Sequence, residues 1–127
     1  MGDVHFTDRE LDVMSALWVE GSGTVAEVRE RMKDDLAYTT VLKVLQILTE
    51  KGHVRHEEEG RAYRYYPAVA PEEAGGSALR RIVSKVFHGS AEMVFAQLIS
   101  DRKLTPQQLQ RMQEMLDERS AEEGGDR

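Results

Sequence analysis

The stretch from Tyr38 to Tyr66, YTTVLKVLQILTEKGHVRHEEEGRAYRYY, constrains the fold more than any other part of the chain. Val41, Leu42, Val44, Leu45, Ile47 and Leu48 recur at the spacing that lines apolar side chains along one broad stripe of a helix. Gly52 then suits the left-handed position just past a helix end. Two short segments follow, Val54 to Glu58 and Arg61 to Tyr66, around Glu59-Gly60. The alternation from Ala62 to Tyr66 fits a strand with two unlike faces, one of which must turn to a core. A two-residue Glu-Gly turn and a slightly longer loop both fit the connection. Pro67, lacking an N–H, stops the ladder.

The preceding segments read as support for this unit. Thr7-Asp8-Arg9-Glu10 matches a capping box, with Phe6 placed to staple against Leu11. Leu11, Met14, Leu17 and Trp18 recur at helical spacing, predicting a helix over about Asp8 to Val19 that ends at Gly21-Ser22-Gly23. That spacing assigns Trp18 to the core. A second box, Thr24-Val25-Ala26-Glu27, opens a helix to about Lys33 that buries Val25, Val28 and Met32. Asp34 and Asp35 are unfavourable at a helix C-terminus, so the chain turns there. Neither short helix can hide its apolar face alone. The third helix, capped by Thr39 or the residue before it and running to about Lys51, supplies the partner. A short strand near Gly23–Val25 would pair at the sheet edge. Three helices and then a hairpin are the order of a winged helix-turn-helix domain.

Beyond Pro67 the pattern turns wholly helical. Pro71-Glu72-Glu73 starts a helix that Gly75-Gly76 softens in the middle, or else the segment is a linker. Leu79, Ile82, Val83, Val86 and Phe87 make an apolar face ending at His88-Gly89, and Ser90 caps the next helix. Thr105-Pro106-Gln107-Gln108 starts the last one, which is expected to end near Arg119. The expected class is mainly α with a small β-hairpin. A winged-helix DNA-binding domain occupies residues 1–70, a helical dimerisation domain 71–120, and a frayed acidic tail 121–127. Val94, Phe95, Leu98, Ile99, Leu109, Met112 and Leu116 offer more apolar face than a chain of 127 residues readily hides, which points to a second copy. A closed monomeric helical cap is the alternative.

Composition removes several functions. With no cysteine there is no disulfide, thiolate metal site or thiol nucleophile. His53 and His56 lack the company of a metal motif, and no metal or other cofactor is expected. Paired acids read as solvated runs, and no glycine loop resembles a phosphate cradle. No catalytic residue is assigned; the chain reads as a non-enzyme. No apolar run is long enough to cross a bilayer, and the polar start is unlike a signal peptide, so a cytoplasmic protein without direct membrane insertion is expected. The formal net charge of -6 argues mildly against nucleic acid. It describes the whole surface, however, whereas a duplex feels the nearest face. Residues 29–43 carry Arg29, Arg31, Lys33 and Lys43 against Glu30, Asp34 and Asp35.

The polar edge of the third helix is the candidate site. Thr39, Thr40, Lys43 and Gln46 lie on successive turns, at the end that would enter a major groove, with Tyr38 beside them. Arg61 and Arg64 on the hairpin would meet neighbouring phosphates or the minor groove, and Tyr63 lies between them in sequence. Glu57, Glu58 and Glu59 would repel phosphate unless they point away. Three uses remain: a homodimeric repressor on a palindromic duplex operator, a winged-helix module for protein–protein interaction without DNA, or a regulator with a small-molecule pocket near Phe87 and Phe95.

TDRELDVMSALW, TVAEVRERM, TTVLKVLQ, EKGHVRHEEEGRAYRYYP and VSKVFHGS, in this order and spacing, resemble the penicillinase repressor family. That family includes the methicillin-resistance and copper-transport repressors, and the likeness runs from Thr7 to Glu118. The resemblance implies an operator-binding winged helix, a C-terminal dimerisation domain and repression of nearby genes, often for resistance or a membrane sensor protease. Its recognition-helix positions fall on Tyr38, Thr39, Thr40 and Lys43, and its hairpin positions on Arg61 and Tyr63. Ile47 stands where relatives commonly carry arginine or another polar residue. The penicillinase branch is induced by cleavage of an Asn-Phe bond; the matching pair here is Gln97-Leu98. The cysteine-rich copper motif has no counterpart.

Overall fold

The computed structural model describes residues 4–101 and 103–125. Both predicted boxes close. Thr7 accepts from the Glu10 N–H and Glu10 accepts from the Thr7 N–H, starting α1 (Asp8–Glu20). Thr24 and Glu27 do the same for α2 (Val25–Arg31). Gly21, at φ 86°, takes the left-handed position that closes α1 and returns its N–H to the Leu17 carbonyl. Helix α2 is two residues shorter than the pattern suggested, and Met32 sits just past it, half-buried. Helix α3 spans Tyr38–Glu50. Its N-cap is Ala37 rather than Thr39 or Tyr38, and no side chain caps it.

Three antiparallel strands complete the first compact unit, which comprises the residues up to 82. They are β1 (Gly23–Thr24), β2 (Val54–Glu59) and β3 (Ala62–Pro67), in the order β1-β3-β2. The edge strand foreseen near Gly23 pairs through Gly23–Tyr65 and Thr24–Arg64. A Cβ at Gly23 would lie 2.9 Å from an Arg31 guanidinium nitrogen and 3.1 Å from Val28, so a side chain there would displace Arg31 from the Ala16 and Ser22 carbonyls. In the hairpin Glu59 pairs with Ala62. The turn is therefore Gly60-Arg61, one residue later than expected, with Gly60 at φ 62° supplying the conformation side chains resist. Pro67 is the last paired residue, opposite Val54.

The core gathers the predicted stripes. Val13, Met14, Leu17, Val28, Val41, Leu45 and Leu48 are fully enclosed, joined by Phe6, Val25, Val54, Tyr65 and Val69. Tyr63 and Tyr65 share one face of β3; Tyr65 is buried in the core, while Tyr63, nearer the hairpin tip, is 44% exposed. Trp18 packs half-buried against this core, and its indole N–H donates to the Val69 carbonyl at 2.8 Å. Ala74 and Ser77 are also buried, and the Ser77 hydroxyl donates to the Val4 carbonyl.

Those two anchors explain one correction. Helix α4 (Pro71–Lys85) runs through Gly75-Gly76 without a break. Docking at Ala74 and Ser77 on either side offsets the roughly 1 kcal/mol that each helical glycine costs relative to alanine. The segment is not a linker. The second compact unit comprises residues 83 onward and contains α5 (Ala91–Asp101) and α6 (Pro106–Gly125). His88 and Gly89, both with positive φ, turn the chain, and Ser90 accepts from the Met93 N–H at the start of α5. Thr105 and Gln108 form the reciprocal pair foreseen for α6. That helix continues past Arg119 to Gly125, so most of the supposed frayed tail is helical. Residues 1–3 of the polar start and 126–127 of the tail lie outside the described residues.

Candidate nucleic-acid interface

Helix α3 buries Val41, Leu45 and Leu48 and leaves Thr39, Thr40, Lys43 and Gln46 on the opposite, exposed edge. Because Ala37 is the cap, neither threonine hydroxyl is used in capping. Among the described residues Lys43 has no carboxylate partner, so its charge is available to a ligand. Tyr38, at the helix start, is 47% exposed.

Across from this edge the hairpin closes a cleft of about 660 Å³, lined by Tyr38, Gln46, His56, Arg61 and Tyr63 among others. The His56 ring lies 4.5 Å from the Tyr63 ring and 5.7 Å from Tyr65, so an aromatic ladder braces the cleft side of the wing. Burial, and then the neighbouring Tyr38 and Tyr63 hydroxyls, raise the pKa of Tyr65. Arg61 sits exposed in the turn and, among the described residues, holds no carboxylate. The structure thus brings Tyr38, Gln46, Arg61 and Tyr63 to one cleft, with Thr39, Thr40 and Lys43 exposed on the same helix.

Arg64 is the exception. The sequence placed it with Arg61 as a phosphate contact. Its guanidinium instead grips Glu59 at 2.9 Å through two nitrogens and Glu27 at 2.9 and 3.3 Å, with Ser22 Oγ at 3.2 Å. A fork already filled by two carboxylates has no charge left for phosphate. Hydrogen bonds from Arg64 hold Glu59 and Glu27 below the usual carboxylate range, and the two carboxylates raise Arg64 in turn.

The same contacts resolve the wing acids. Glu59 is matched by Arg64, and Glu57 by Arg55 at 2.9 Å, while Arg55 also lies 4.3 Å from the Tyr66 ring. Glu58 alone of the three is exposed without a cation among the described residues. Several nearby bases are structural too. Arg31 donates to the carbonyls of Ala16 and Ser22, and Arg9 pairs with Asp34. Sequence spacing offered no sign of the Arg64 clamp, because Glu27 and Arg64 lie 37 residues apart and meet only once β1 pairs with β3. A second long-range pin, Lys51 to Glu10 at 2.8 Å, ties the end of α3 to the start of α1.

Within the second unit, α5 buries no residue at all. Phe95, Leu98, Ile99, Leu109 and Leu116 are 42–55% exposed, with Val94 and Met112 half-buried. Gln97 is exposed and donates to Asp101 along the helix. Among the described residues no three His, Cys, Asp or Glu side chains gather as for a metal, and no helix is long and apolar enough to cross a membrane.

Comparison with known proteins agrees with this fold. The penicillinase repressor of Bacillus licheniformis is 21% identical over 116 residues, 90% of this chain and 91% of that protein. The transcriptional regulator BlaI of Mycobacterium tuberculosis is 42% identical over 69 residues, 52% of this chain and 50% of that protein. The solution structure of the DNA-binding domain of the repressor BlaI superposes with a TM-score of 0.50 at 28% identity, covering 54% of this chain and 87% of that one. The penicillinase repressor family pattern matches residues 6–118. The chain belongs to the penicillinase repressor family, transcriptional repressors built on a winged helix.

Proposed function

We infer that this protein represses transcription as a homodimer on a two-fold symmetric duplex operator. The observation that carries the reading is the polar edge of α3, exposed and uncommitted at Thr39, Thr40, Lys43 and Gln46 while the opposite face is locked into the core. A major groove admits a helix of this width, and Lys43 and Gln46 are suited to base edges or phosphates there. Tyr38 and Tyr63 would flank the sugar-phosphate chain in the cleft, and Arg61 would meet a phosphate from the wing. Arg64 is left out of the contact set.

The residues up to about 70 form the reading domain in this account, and the helices after them join two copies. Val94, Phe95, Leu98, Ile99, Leu109, Met112 and Leu116 supply the apolar surface between copies. One half-site then positions the second subunit, and the linked pair binds far better than either alone. Breaking the pair would release the operator. Cleavage at Gln97-Leu98 would do so by cutting α5, under a membrane sensor or protease partner, once the helix opens locally. The protein acts in the cytoplasm, where its DNA is, and performs no catalysis.

The test is a titration of the duplex upstream of the chain's own gene at several salt concentrations. Affinity should exceed that for a shuffled duplex and fall steeply with salt. Equal binding to both duplexes at low salt would overturn the repressor reading and favour a protein-binding winged helix.

A further inference from the structure

We propose that Arg64 is a positioning residue which, by clamping Glu59 of the wing to Glu27 at the start of α2, holds Arg61 where it and α3 engage one duplex together. This rests on the repressor reading above. Strand β2 and the turn after it are exposed at every residue from Arg55 to Arg61. Tyr65 and the aromatic ladder hold the base of the wing, but its outer strand and tip have little apolar burial of their own. What ties the tip to the helices is polar. The two-nitrogen grip on Glu59 spans the hairpin near its tip, and the bonds to Glu27 and Ser22 anchor the same guanidinium to the helix pair. Glu27 is itself immobilised, since it also receives the Thr24 N–H and lies 3.6 Å from Arg31. Arg61 stands two residues from Glu59, in the turn that follows the clamped end of β2.

A positioning role and a direct phosphate role predict different double mutants. Each phosphate contact adds about 0.9 to the slope of log affinity against log salt. The charge-balanced variant E59Q/R64Q removes the clamp without changing net charge. R61A is placed in the wild-type chain and in E59Q/R64Q, and each protein is titrated against the upstream duplex. R61A should cost about tenfold in the wild-type chain and less than about threefold in the unclamped one, with the salt slope falling by about one in each single background and no further in the combination. Far-UV circular dichroism reports whether the fold is kept. Should E59Q/R64Q not fold, R64K serves, because an ammonium keeps the charge and loses the fork; R61A should again cost less there than in the wild-type chain. Equal, additive costs of R61A, or a slope that falls by two in the combination, would overturn the positioning role. Failure of the wild-type protein to prefer any duplex would instead overturn the repressor reading, and this inference with it.

Discussion

The Glu10–Lys51 pin offers a sharp test of what holds α3 in place, through the substitution E10Q. Glu10 is 4% exposed and accepts from Lys51 Nζ at 2.8 Å and from the Thr7 N–H at 2.7 Å. Glutamine keeps the shape and an acceptor oxygen but loses the charge. Each hydrogen bond to a charged group contributes roughly 1 kcal/mol more than a neutral one. Lys51 is 39% exposed on its side chain, so solvent screens its share. Glutamine also escapes part of the burial cost. The net loss expected near neutral pH is about 1–2 kcal/mol. The pH dependence is more telling than the size. Burial pushes the Glu10 carboxyl up, but the bonds from Lys51 and Thr7 outweigh it and leave the pKa below its ordinary value. A depressed folded pKa contributes stability that is complete above the unfolded pKa and disappears as pH falls through the folded one. Urea denaturation of both proteins, at one fixed concentration, should show the full gap at pH 6–8. The gap should shrink below about pH 4.5, where unfolded glutamate protonates. A gap that is constant from pH 7 to pH 3 would refute the charge-based account of this pin.

Three further outcomes are expected. L45A, at a fully enclosed position of α3, should destabilise by about 2–5 kcal/mol in urea denaturation, because the site cannot collapse around the lost atoms. W18F should cost about 1 kcal/mol by the same measurement, through loss of the indole bond to the Val69 carbonyl. L98D, at a position 55% exposed within one chain, should leave monomer stability within about 0.5 kcal/mol yet shift sedimentation from dimer to monomer. An unchanged sedimentation profile would remove Leu98 from the dimer surface.

The elements legible in the sequence are those set by local chemistry. Thr7–Glu10, Thr24–Glu27 and Thr105–Gln108 each announced a helix start, because both members of a capping box lie within four residues. The apolar stripe of α3 and the inward turn of one strand tyrosine were likewise readable from period alone. What sequence missed depends on residues brought together by the fold. Gly75-Gly76 reads as a break until Ala74 and Ser77 are seen docked on either side. Arg64 reads as a spare cation until the sheet delivers it to Glu27. Ala37 has no side-chain acceptor to mark it as a cap, so the sequence points one or two residues later, to Tyr38 or Thr39. The polar edge of α3 was visible early because it is what remains once the apolar stripe is removed. Its freedom from internal partners is set by long-range packing, which no local pattern encodes.

Methylation interference tests major-groove reading by α3 most directly, since guanine N7 lies in that groove. The account predicts that methylating N7 within two symmetric half-sites, one helical turn or a multiple apart, abolishes binding of the wild-type protein to its upstream duplex, and that K43A relaxes the effect at one position in each half-site. Binding that tolerates N7 methylation throughout, or responds only to adenine N3 methylation in the minor groove, would contradict it.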